Sequence, residues 1–219
     1  EFVYTYVSQG PDKLITLSGS VDQLEVFGCQ LTELNVVSAP DLYILKCYNN
    51  NLETLDVKNA PKLEILDCKE NKLSSIDVSS NNILEELLAS DNKLTSVTLG
   101  QQPKMMKLDA AGNDLVGLDL SGCPALEDLY IQNNKITELD LSLNKSLWWI
   151  YAFDNQLAGE SMDMFMQKLP TAAQVPAMLY IVDTRNEADG NLCLVKNVEV
   201  AREKGWVCCD YVGGQENTG

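Results

Sequence analysis

Hydrophobic residues recur at a fixed interval of twenty-one residues along most of the chain. Each unit has two leucines, then a small residue, an asparagine and a further leucine at constant spacing. In the unit that begins at Leu42 these residues are Leu45, Cys47, Asn50 and Leu52. The asparagine returns in every later unit, at Asn71, Asn92, Asn113, Asn134 and Asn155. A constant short period indicates stacked repeats, because one turn cannot bury its apolar face alone.

The extent of this repeat divides the chain into three parts. We expect an N-terminal strand cap over residues 1–20, a solenoid of about seven repeats over 21–157, and a C-terminal helix-strand cap over 158–219. A cap is expected at each end, since the terminal turns of a solenoid would otherwise expose apolar side chains.

The two caps have their own local patterns. In the N-terminal cap, alternation over residues 2–7 predicts a strand, the sequence Gly10-Pro11-Asp12 predicts a turn, and residues 14–17 predict a second strand. The C-terminal cap should contain two helices and two strands in alternation: a helix at 161–170 with Ser161 as N-cap and Pro170 as stop, a strand at 178–183, a helix at 195–204 ended by Gly205, and a strand at 206–209.

The repeated asparagines and most of the cysteines are expected to be structural. An amide carries both a donor and an acceptor, so it can satisfy backbone groups that a turn leaves inside the core. Cys47 and Cys68 share one inward column, where we expect a ladder of small buried side chains rather than a disulfide. In the C-terminal cap we expect one disulfide, joining Cys193 to Cys208 or Cys209, with a zinc site as the rival interpretation.

The repeat resembles the leucine-rich repeat. Its period and its trailing Leu55-Asp56-Val57, Leu118-Asp119-Leu120 and Leu139-Asp140-Leu141 are most similar to bacterial secreted and surface members, including internalin-like proteins with a cysteine ladder. The resemblance implies an α/β-type leucine-rich repeat solenoid, rich in strands and poor in helices, with a parallel β-sheet on the concave face and a short α+β C-terminal cap. It also implies binding of a protein or a glycan without catalysis.

Charge and composition exclude several other functions. The net charge is −16, with 32 acidic and 16 basic residues, which argues against nucleic acid and anionic membranes as partners. The sequence contains no apolar run of the ~20 residues that a transmembrane helix needs. The chain has no histidine, so histidine-based catalytic groups and zinc sites are excluded. We expect no cofactor and no metal.

Outward positions of the predicted strands carry the candidate ligand-binding site. Exposed aromatic side chains bordered by polar groups are typical of binding surfaces. The predicted site comprises Tyr130, Trp149, Tyr151, Phe153, Asp109, Asp128 and Gln132. The alternative is that the C-terminal cap folds over this end, so that Trp149 and Phe153 become part of the core. A smaller apolar patch is expected at the other end of the sheet, from Phe27, Ile44, Tyr48 and Ile65.

The sequence therefore predicts a non-catalytic binding module, secreted or on the cell surface, that recognises a protein ligand, such as a host or cell-surface protein, through its concave face. Glycan capture by the same rings is the alternative. A glycoside hydrolase using Asp109 and Asp128 is a third hypothesis, which an open sheet with Lys107 nearby disfavours. Whether a signal peptide or a lipid anchor precedes Glu1, and the oligomeric state, are left open.

Overall fold

The computed structural model describes residues 4–7 and 13–211. In chain order the elements are β1 Tyr4–Val7, β2 Leu14–Ser18, β3 Gln23–Glu25, β4 Glu33–Ser38, β5 Ile44–Lys46, β6 Ile65–Asp67, β7 Ser75–Asp77, β8 Glu86–Leu88, β9 Ser96–Thr98, β10 Lys107–Asp109, β11 Asp128–Tyr130, β12 Trp149–Tyr151, α1 Glu160–Lys168, β13 Ala177–Val182, α2 Val195–Glu203 and β14 Trp206–Asp210.

A nine-stranded parallel sheet forms the concave face of the solenoid. Its order is β3-β5-β6-β8-β10-β11-β12-β13-β14, so each turn adds one strand beside the previous one. The strands pair in register: Lys107 lies opposite Asp128, and Asp128 lies opposite Trp149. In each repeat strand the middle residue is buried, as Leu108 is in β10, while its two neighbours point outward. The structure confirms the predicted leucine-rich repeat solenoid and its parallel sheet.

The small inward residues stack in one column through the core. Cys47 and Cys68 are fully buried in adjacent turns, and Ala89 and Ala110 continue the column. Neither cysteine is in a disulfide. Burial raises the pKa of Cys68 to about 12, so its thiol is inert in the core.

The asparagine column satisfies buried backbone groups in neighbouring turns. Asn113 accepts a hydrogen bond from the Leu94 N–H at 2.9 Å and donates to the carbonyls of Ala89 and Ala110, each at 3.1 Å. Leu94 and Ala89 belong to the preceding turn, so each amide joins its own turn to the one before rather than to the one after. The same pattern holds at the other five positions, Asn50, Asn71, Asn92, Asn134 and Asn155.

The column ends on an asparagine outside the twenty-one-residue register. Asn191 accepts from the Leu157 N–H at 2.8 Å and donates to the carbonyls of Ala152 and Ile181, each at 2.7 Å. It thereby closes the last repeat against the C-terminal cap. The repeat pattern did not predict this position.

The N-terminal strands lie on the opposite side of the first turn from the concave sheet. Strands β1 and β2 are antiparallel, and β2 continues in parallel with β4. Leu17 and Val21 are buried there against the first repeat. Both predicted strands are confirmed as β1 and β2. Phe2 and the predicted turn at residues 10–12 lie outside the described residues.

The helices of the C-terminal cap agree with prediction except at one end. Helix α1 ends before Pro170, and α2 ends just before Gly205, whose φ of 87° is left-handed. The predicted N-cap is wrong, because α1 begins one residue before Ser161, and Gly159 occupies the cap without a side-chain bond. The Ser161 hydroxyl instead exchanges hydrogen bonds with the backbone of Ala158.

The expected disulfide in the C-terminal cap is not formed. Cys193 and Cys208 are both free thiols, so Cys193 is bonded to neither predicted partner. Alternate residues of a strand face opposite sides, and Cys209 accordingly lies with the aromatic side chains of the concave face. Burial raises the pKa of Cys193 to about 11 and that of Cys208 to about 12. Both thiols stay protonated at neutral pH, which disfavours the thiolate needed for disulfide formation.

Candidate functional site

The C-terminal cap extends the concave sheet instead of folding over it. Strand β13 lies beside β12, with Met178 opposite Trp149 and Tyr180 opposite Tyr151. Strand β14 continues the sheet beyond β13. The rings of Trp149 and Tyr151 are therefore half-buried by lateral neighbours and still face the concave side. The alternative in which the cap converts Trp149 into core is wrong.

Three tyrosines stack on one another along the outward face of this sheet. The ring centroids of Tyr130 and Tyr151 are 5.4 Å apart, and those of Tyr151 and Tyr180 are 4.4 Å apart with an interplanar angle of 13°. Trp149 packs beside them, 5.9 Å from Tyr151 and 5.7 Å from Tyr180. We name Tyr130, Trp149, Tyr151 and Tyr180 the aromatic platform. In-register pairing produces it, because equal positions of successive strands become lateral neighbours.

Phe153 lies at the edge of the platform and is only 4% exposed. Its ring stacks on Tyr211 at 4.2 Å and contacts Tyr151 edge-on at 6.0 Å. It packs in one cluster with Met178 and Cys209, both contributed by the cap. For this residue the cap does provide the covering surface, so Phe153 supports the platform and offers little of its own ring to a ligand.

Two predicted carboxylates border the platform and are both partly desolvated. Burial raises the pKa of Asp109, with Asp91 adding to the rise, against hydrogen bonds from the Ala111 N–H and Ser90 and the charge of Lys107. Burial also raises the pKa of Asp128; Lys107 lowers it, whereas the charges of Glu127 and Glu86 raise it further. In both cases the environment makes the charged form less favourable than in water.

Two oxygen acceptors beside Tyr130 are left without a hydrogen-bond donor. These are Oδ1 of Asp128 and Oε1 of Gln132, and neither has a partner within the part of the chain that the structure describes. Asp128 and Gln132 lie on either side of Tyr130 along the same stretch of chain. Unpaired acceptors of this kind are uncommon in folded proteins, and a ligand that supplies donors would satisfy them.

A lysine of the chain already contacts the platform. The ammonium group of Lys107 lies over the ring of Tyr130, 5.3 Å from its centroid. This distance is typical of a cation–π interaction. One ring of the platform therefore already has a cation of the chain over it.

The opposite end of the concave face has a smaller aromatic pair. Phe27 and Tyr48 stack at 4.8 Å with an interplanar angle of 2°, and Phe27 is 49% exposed. Lys69 lies over Tyr48 at 5.1 Å and also pairs with Asp67 at 3.5 Å. The predicted patch of Phe27, Ile44, Tyr48 and Ile65 is thus formed, and its charged neighbours are paired with one another.

Sequence reasoning missed the part of the platform that the cap supplies. Tyr180 belongs to a segment with no twenty-one-residue repeat, as do its neighbours Met178 and Tyr211. A search for three consecutive residues, an outward residue followed by a buried aliphatic residue and a tyrosine, could have identified Tyr180. In strands β11, β12 and β13 that pattern occurs at Asp128-Leu129-Tyr130, Trp149-Ile150-Tyr151 and Met178-Leu179-Tyr180.

One surface cavity lies away from the concave face. It is an open groove of about 730 Å³ between the turns near Leu118 and Leu139 and helix α1, where Phe165 forms part of its wall. Its charged groups Asp140 and Lys168 are already paired at 2.9 Å. We therefore place the candidate site on the aromatic platform, where polar groups remain unpaired.

The described residues include no group of three or more Cys, Asp or Glu side chains placed to hold a metal ion. Over residues 4–7 and 13–211, no helix has the length and apolar character needed to cross a membrane.

Comparison with known proteins gives similarity to solved structures only. No family model and no curated protein matches the chain. The functional domain of InlJ from Listeria monocytogenes, described as including a cysteine ladder, superposes with a TM-score of 0.68 and 29% identity over 84% of this chain and 38% of that one. YopM from Yersinia enterocolitica WA-314 superposes with a TM-score of 0.57 and 25% identity over 89% of this chain and 42% of that one.

The chain spans about two fifths of the length of these two structures. The likeness extends to details of the turn, since this chain also stacks cysteines, Cys47 and Cys68, in one inward column. With its in-register parallel sheet and its spacing of about 21 residues between turns, this chain has the leucine-rich repeat fold and is similar to these bacterial repeat proteins.

Proposed function

We propose that this chain is a non-catalytic binding module that recognises a protein ligand through the C-terminal half of its concave face. The observation that carries the proposal is the aromatic platform, whose stacked rings face the concave side with unpaired acceptors of Asp128 and Gln132 beside them. The likeness to two bacterial repeat proteins supports an interaction module.

The platform has the physical properties of a binding hot spot. Tryptophan and tyrosine provide large contact areas with few rotatable bonds, and they dominate the energetics of many protein interfaces. Here the rings are already ordered by stacking against one another, with Tyr151 held between Tyr130 and Tyr180. A ligand therefore loses less free energy to side-chain ordering than it would on mobile rings.

The open sheet around Asp109 and Asp128 argues against a hydrolase, although burial raises the pKa of both carboxyls. A glycosidase needs one carboxylic acid that keeps its proton near neutral pH, usually in an enclosed site. Asp109 and Asp128 occupy outward positions of adjacent strands on an open sheet, and Lys107 favours the charged form of both. Non-catalytic binding is the better account of this pair.

We further propose that the protein is secreted or displayed on the cell surface, because its repeat is most similar to bacterial members with that location. Fractionation of the source cells with an antibody against the chain tests this location. Detection in the cytosolic fraction alone would contradict it.

Glycan binding by the same platform is the second candidate. It is supported by the Trp149 ring, which is tilted against Tyr151 and Tyr180, and by the acceptors beside Tyr130, since a sugar ring stacks on an aromatic face and donates hydroxyl hydrogens. A glycan array probed with the whole chain tests it. An array without hits would eliminate this candidate.

The proposed function is tested by panning a library of random displayed peptides against the whole chain and then measuring the selected peptides on variants. Because hot-spot residues contribute about 2 kcal/mol, Trp149→Ala should weaken binding by about 30-fold in calorimetry. Tyr48→Ala, at the other end of the sheet, is the matched control and should change the affinity less than about threefold.

Two further measurements keep this test interpretable. Circular dichroism melting of each variant establishes that it is folded at the assay temperature. Trp149→Phe retains an aromatic ring and should recover part of the lost affinity. Selected peptides that bind Trp149→Ala as tightly as the original chain would contradict the proposed site.

A further inference from the structure

The chain places its own cations on tyrosine rings at three positions of the concave side. Lys69 lies over Tyr48 at 5.1 Å, Lys107 over Tyr130 at 5.3 Å, and the Arg185 guanidinium over Tyr211 at 5.9 Å. Attraction between a cation and the negative face of an aromatic ring explains the recurrence. The arrangement of a basic group over a tyrosine ring is therefore repeated along this surface.

The two central rings of the platform differ in what they offer a cation from outside. Tyr151 is stacked between Tyr130 and Tyr180, so its ring faces are covered, whereas Trp149 is tilted against Tyr151 and Tyr180. Within the described part of the chain, neither Trp149 nor Tyr151 has a lysine or arginine over its ring, although Lys107 and Arg185 approach the platform from its two sides. The outward residues of β11 to β14 next to these rings include no lysine or arginine. A positive group can reach the Trp149 ring without displacing one of the chain's own.

The carboxylates around the platform are destabilised in their charged forms. The pKa values of Asp109, Asp128 and Asp154 are all raised, with burial as the largest cause in each case. Like charges contribute as well, from Asp91 at the first and from Glu127 and Glu86 at the second. A cation placed among these groups would relieve both effects, because it replaces lost hydration and neutralises mutual repulsion.

The unpaired oxygens of Asp128 and Gln132 could also accept hydrogen bonds from a ligand. A guanidinium has five N–H donors in a fixed planar arrangement, and an ammonium has three. Both oxygens are buried in the free chain, so a donor from a ligand reaches them only when the side chain rotates. An acidic segment would instead be repelled by Asp109 and Asp128, and a neutral sugar would supply donors without relieving the charge.

We propose that the platform binds a basic protein segment, with an arginine or lysine side chain lying over Trp149 at the edge of the tyrosine stack and donating hydrogen bonds to Asp128 and Gln132. This inference rests on the proposed function and specifies the chemistry of its ligand. In this proposal Asp109, which lies beside Asp128 and the platform, attracts the positive charge of the ligand.

The test measures binding of a hexa-arginine peptide, with hexa-glutamate and hexa-serine peptides as matched probes. The double variant Asp109→Asn plus Asp128→Asn should bind hexa-arginine about tenfold more weakly than the original chain, since charge pairs at partly desolvated sites are screened little. The control, Glu53→Gln plus Glu199→Gln, removes the same net charge at exposed positions elsewhere and should change the affinity less than twofold.

Two outcomes would overturn the inference. One is an equal loss of affinity in both double variants, which would show attraction to net charge alone. The other is binding of hexa-serine as tight as that of hexa-arginine. Melting curves of both double variants exclude misfolding as the cause of a loss.

The panned peptides separate failure of this inference from failure of the proposed function. Enrichment of arginine and lysine among them, together with weaker binding to Trp149→Ala, supports both. Peptides that depend on Trp149 but have no excess of basic residues overturn the inference and leave the proposed function in place. Peptides that do not depend on Trp149 overturn both.

Discussion

The two ends of the concave face share one scaffold and differ in electrostatics. At the N-terminal end Lys46 pairs with Glu25 at 2.7 Å, and this contact lowers the pKa of Glu25. At the C-terminal end burial raises the pKa of Asp109 and Asp128. Both ends carry stacked aromatic rings, so the rings alone do not distinguish them. The direction of the pKa shift of the neighbouring carboxylates distinguishes them.

Lateral pairing explains the difference. In a parallel in-register sheet, equal positions of adjacent strands are neighbours, so opposite charges there neutralise one another. The column of Glu25 and Lys46 does this at one end. At the other end Asp109 lies opposite Tyr130, which cannot neutralise a carboxylate, whereas Asp128 lies opposite Lys107. Charge that the fold leaves uncompensated is available to a ligand, and this is why we place the function at the C-terminal end.

The largest expected effect should be equal at the two ends, because it concerns the shared scaffold. Asn134→Ala removes bonds to the Leu115 N–H and to the carbonyls of Ala110 and Ile131. Leaving such buried groups unsatisfied should lower the free energy of unfolding by about 3 kcal/mol. Asn50→Ala should cost a similar amount, measured by urea denaturation.

The exposed Asn82 provides the control for this pair. Asn82→Ala should stay within about 0.5 kcal/mol of the original chain. A much smaller loss for Asn134→Ala than for Asn50→Ala would mean that the scaffold itself differs between the ends.

The second prediction concerns pH and ligand binding. Asp109 and Asp128 are charged above their raised pKa values and protonated below them. The affinity for hexa-arginine should therefore be highest near pH 7 and fall about tenfold as the pH drops through those values, when two attractive charges are lost. Calorimetric titrations across this range measure the effect. In Asp109→Asn plus Asp128→Asn the profile should be nearly flat, and a profile as steep as that of the original chain would refute the assignment.

The third prediction concerns the effect of Lys107 on the affinity for a basic ligand. This lysine lies over Tyr130 and favours the charged forms of Asp109 and Asp128. Lys107→Met keeps much of the apolar side chain and removes the competing cation, so affinity for hexa-arginine should rise about threefold. Lys69→Met, over Tyr48, is the matched control and should have no such effect. Weaker binding by Lys107→Met would show that the lysine contacts the ligand instead of competing with it.

The smallest effect is on thermal stability, with opposite signs at the two ends. A carboxyl whose pKa is raised by folding destabilises the native state when charged, so Asp109→Asn should raise the melting temperature at pH 7. Glu25 has a lowered pKa and stabilises the native state above its unfolded pKa, so Glu25→Gln should lower the melting temperature slightly.

Both differences should vanish at a pH below the folded pKa of Glu25 and below the unfolded pKa of Asp109, since both carboxyls are then protonated in the folded and in the unfolded state. Calorimetry of the two variants at neutral and acidic pH provides the check. A fall in melting temperature for Asp109→Asn at pH 7 would mean that its hydrogen bond from the Ala111 N–H outweighs the burial of its charge.

Sequence reasoning succeeded where the repeat holds. The period alone predicts the sheet, the inward Cys47 and Cys68, and the amide bonds of Asn113, because each follows from one turn stacking on the next. It also predicts that Tyr130, Trp149 and Tyr151 share the concave face, since period-two alternation within a strand fixes their direction.

The same reasoning failed where helix α1 interrupts the period. Tyr180 pairs with Tyr151 although the two are not one repeat apart, so register counting could not align them. Ser161 and the Cys193 disulfide were predicted from local composition, which contains no information on where α1 begins or which face of β14 a thiol occupies. The binding of a basic segment by the platform is likewise beyond sequence reasoning, because it depends on contacts between side chains of β11, β12 and β13. It remains a prediction.

The most direct test of the platform as the binding site is the tryptophan side-chain region of a ¹⁵N–¹H correlation spectrum. The chain has three indoles, and Trp206 is buried and donates to the Pro170 carbonyl at 2.8 Å, away from the concave face. On titration with a peptide selected by panning, the Trp149 indole signal should shift progressively while that of Trp206 stays unchanged. A saturable binding curve with no movement of the Trp149 signal would contradict the account.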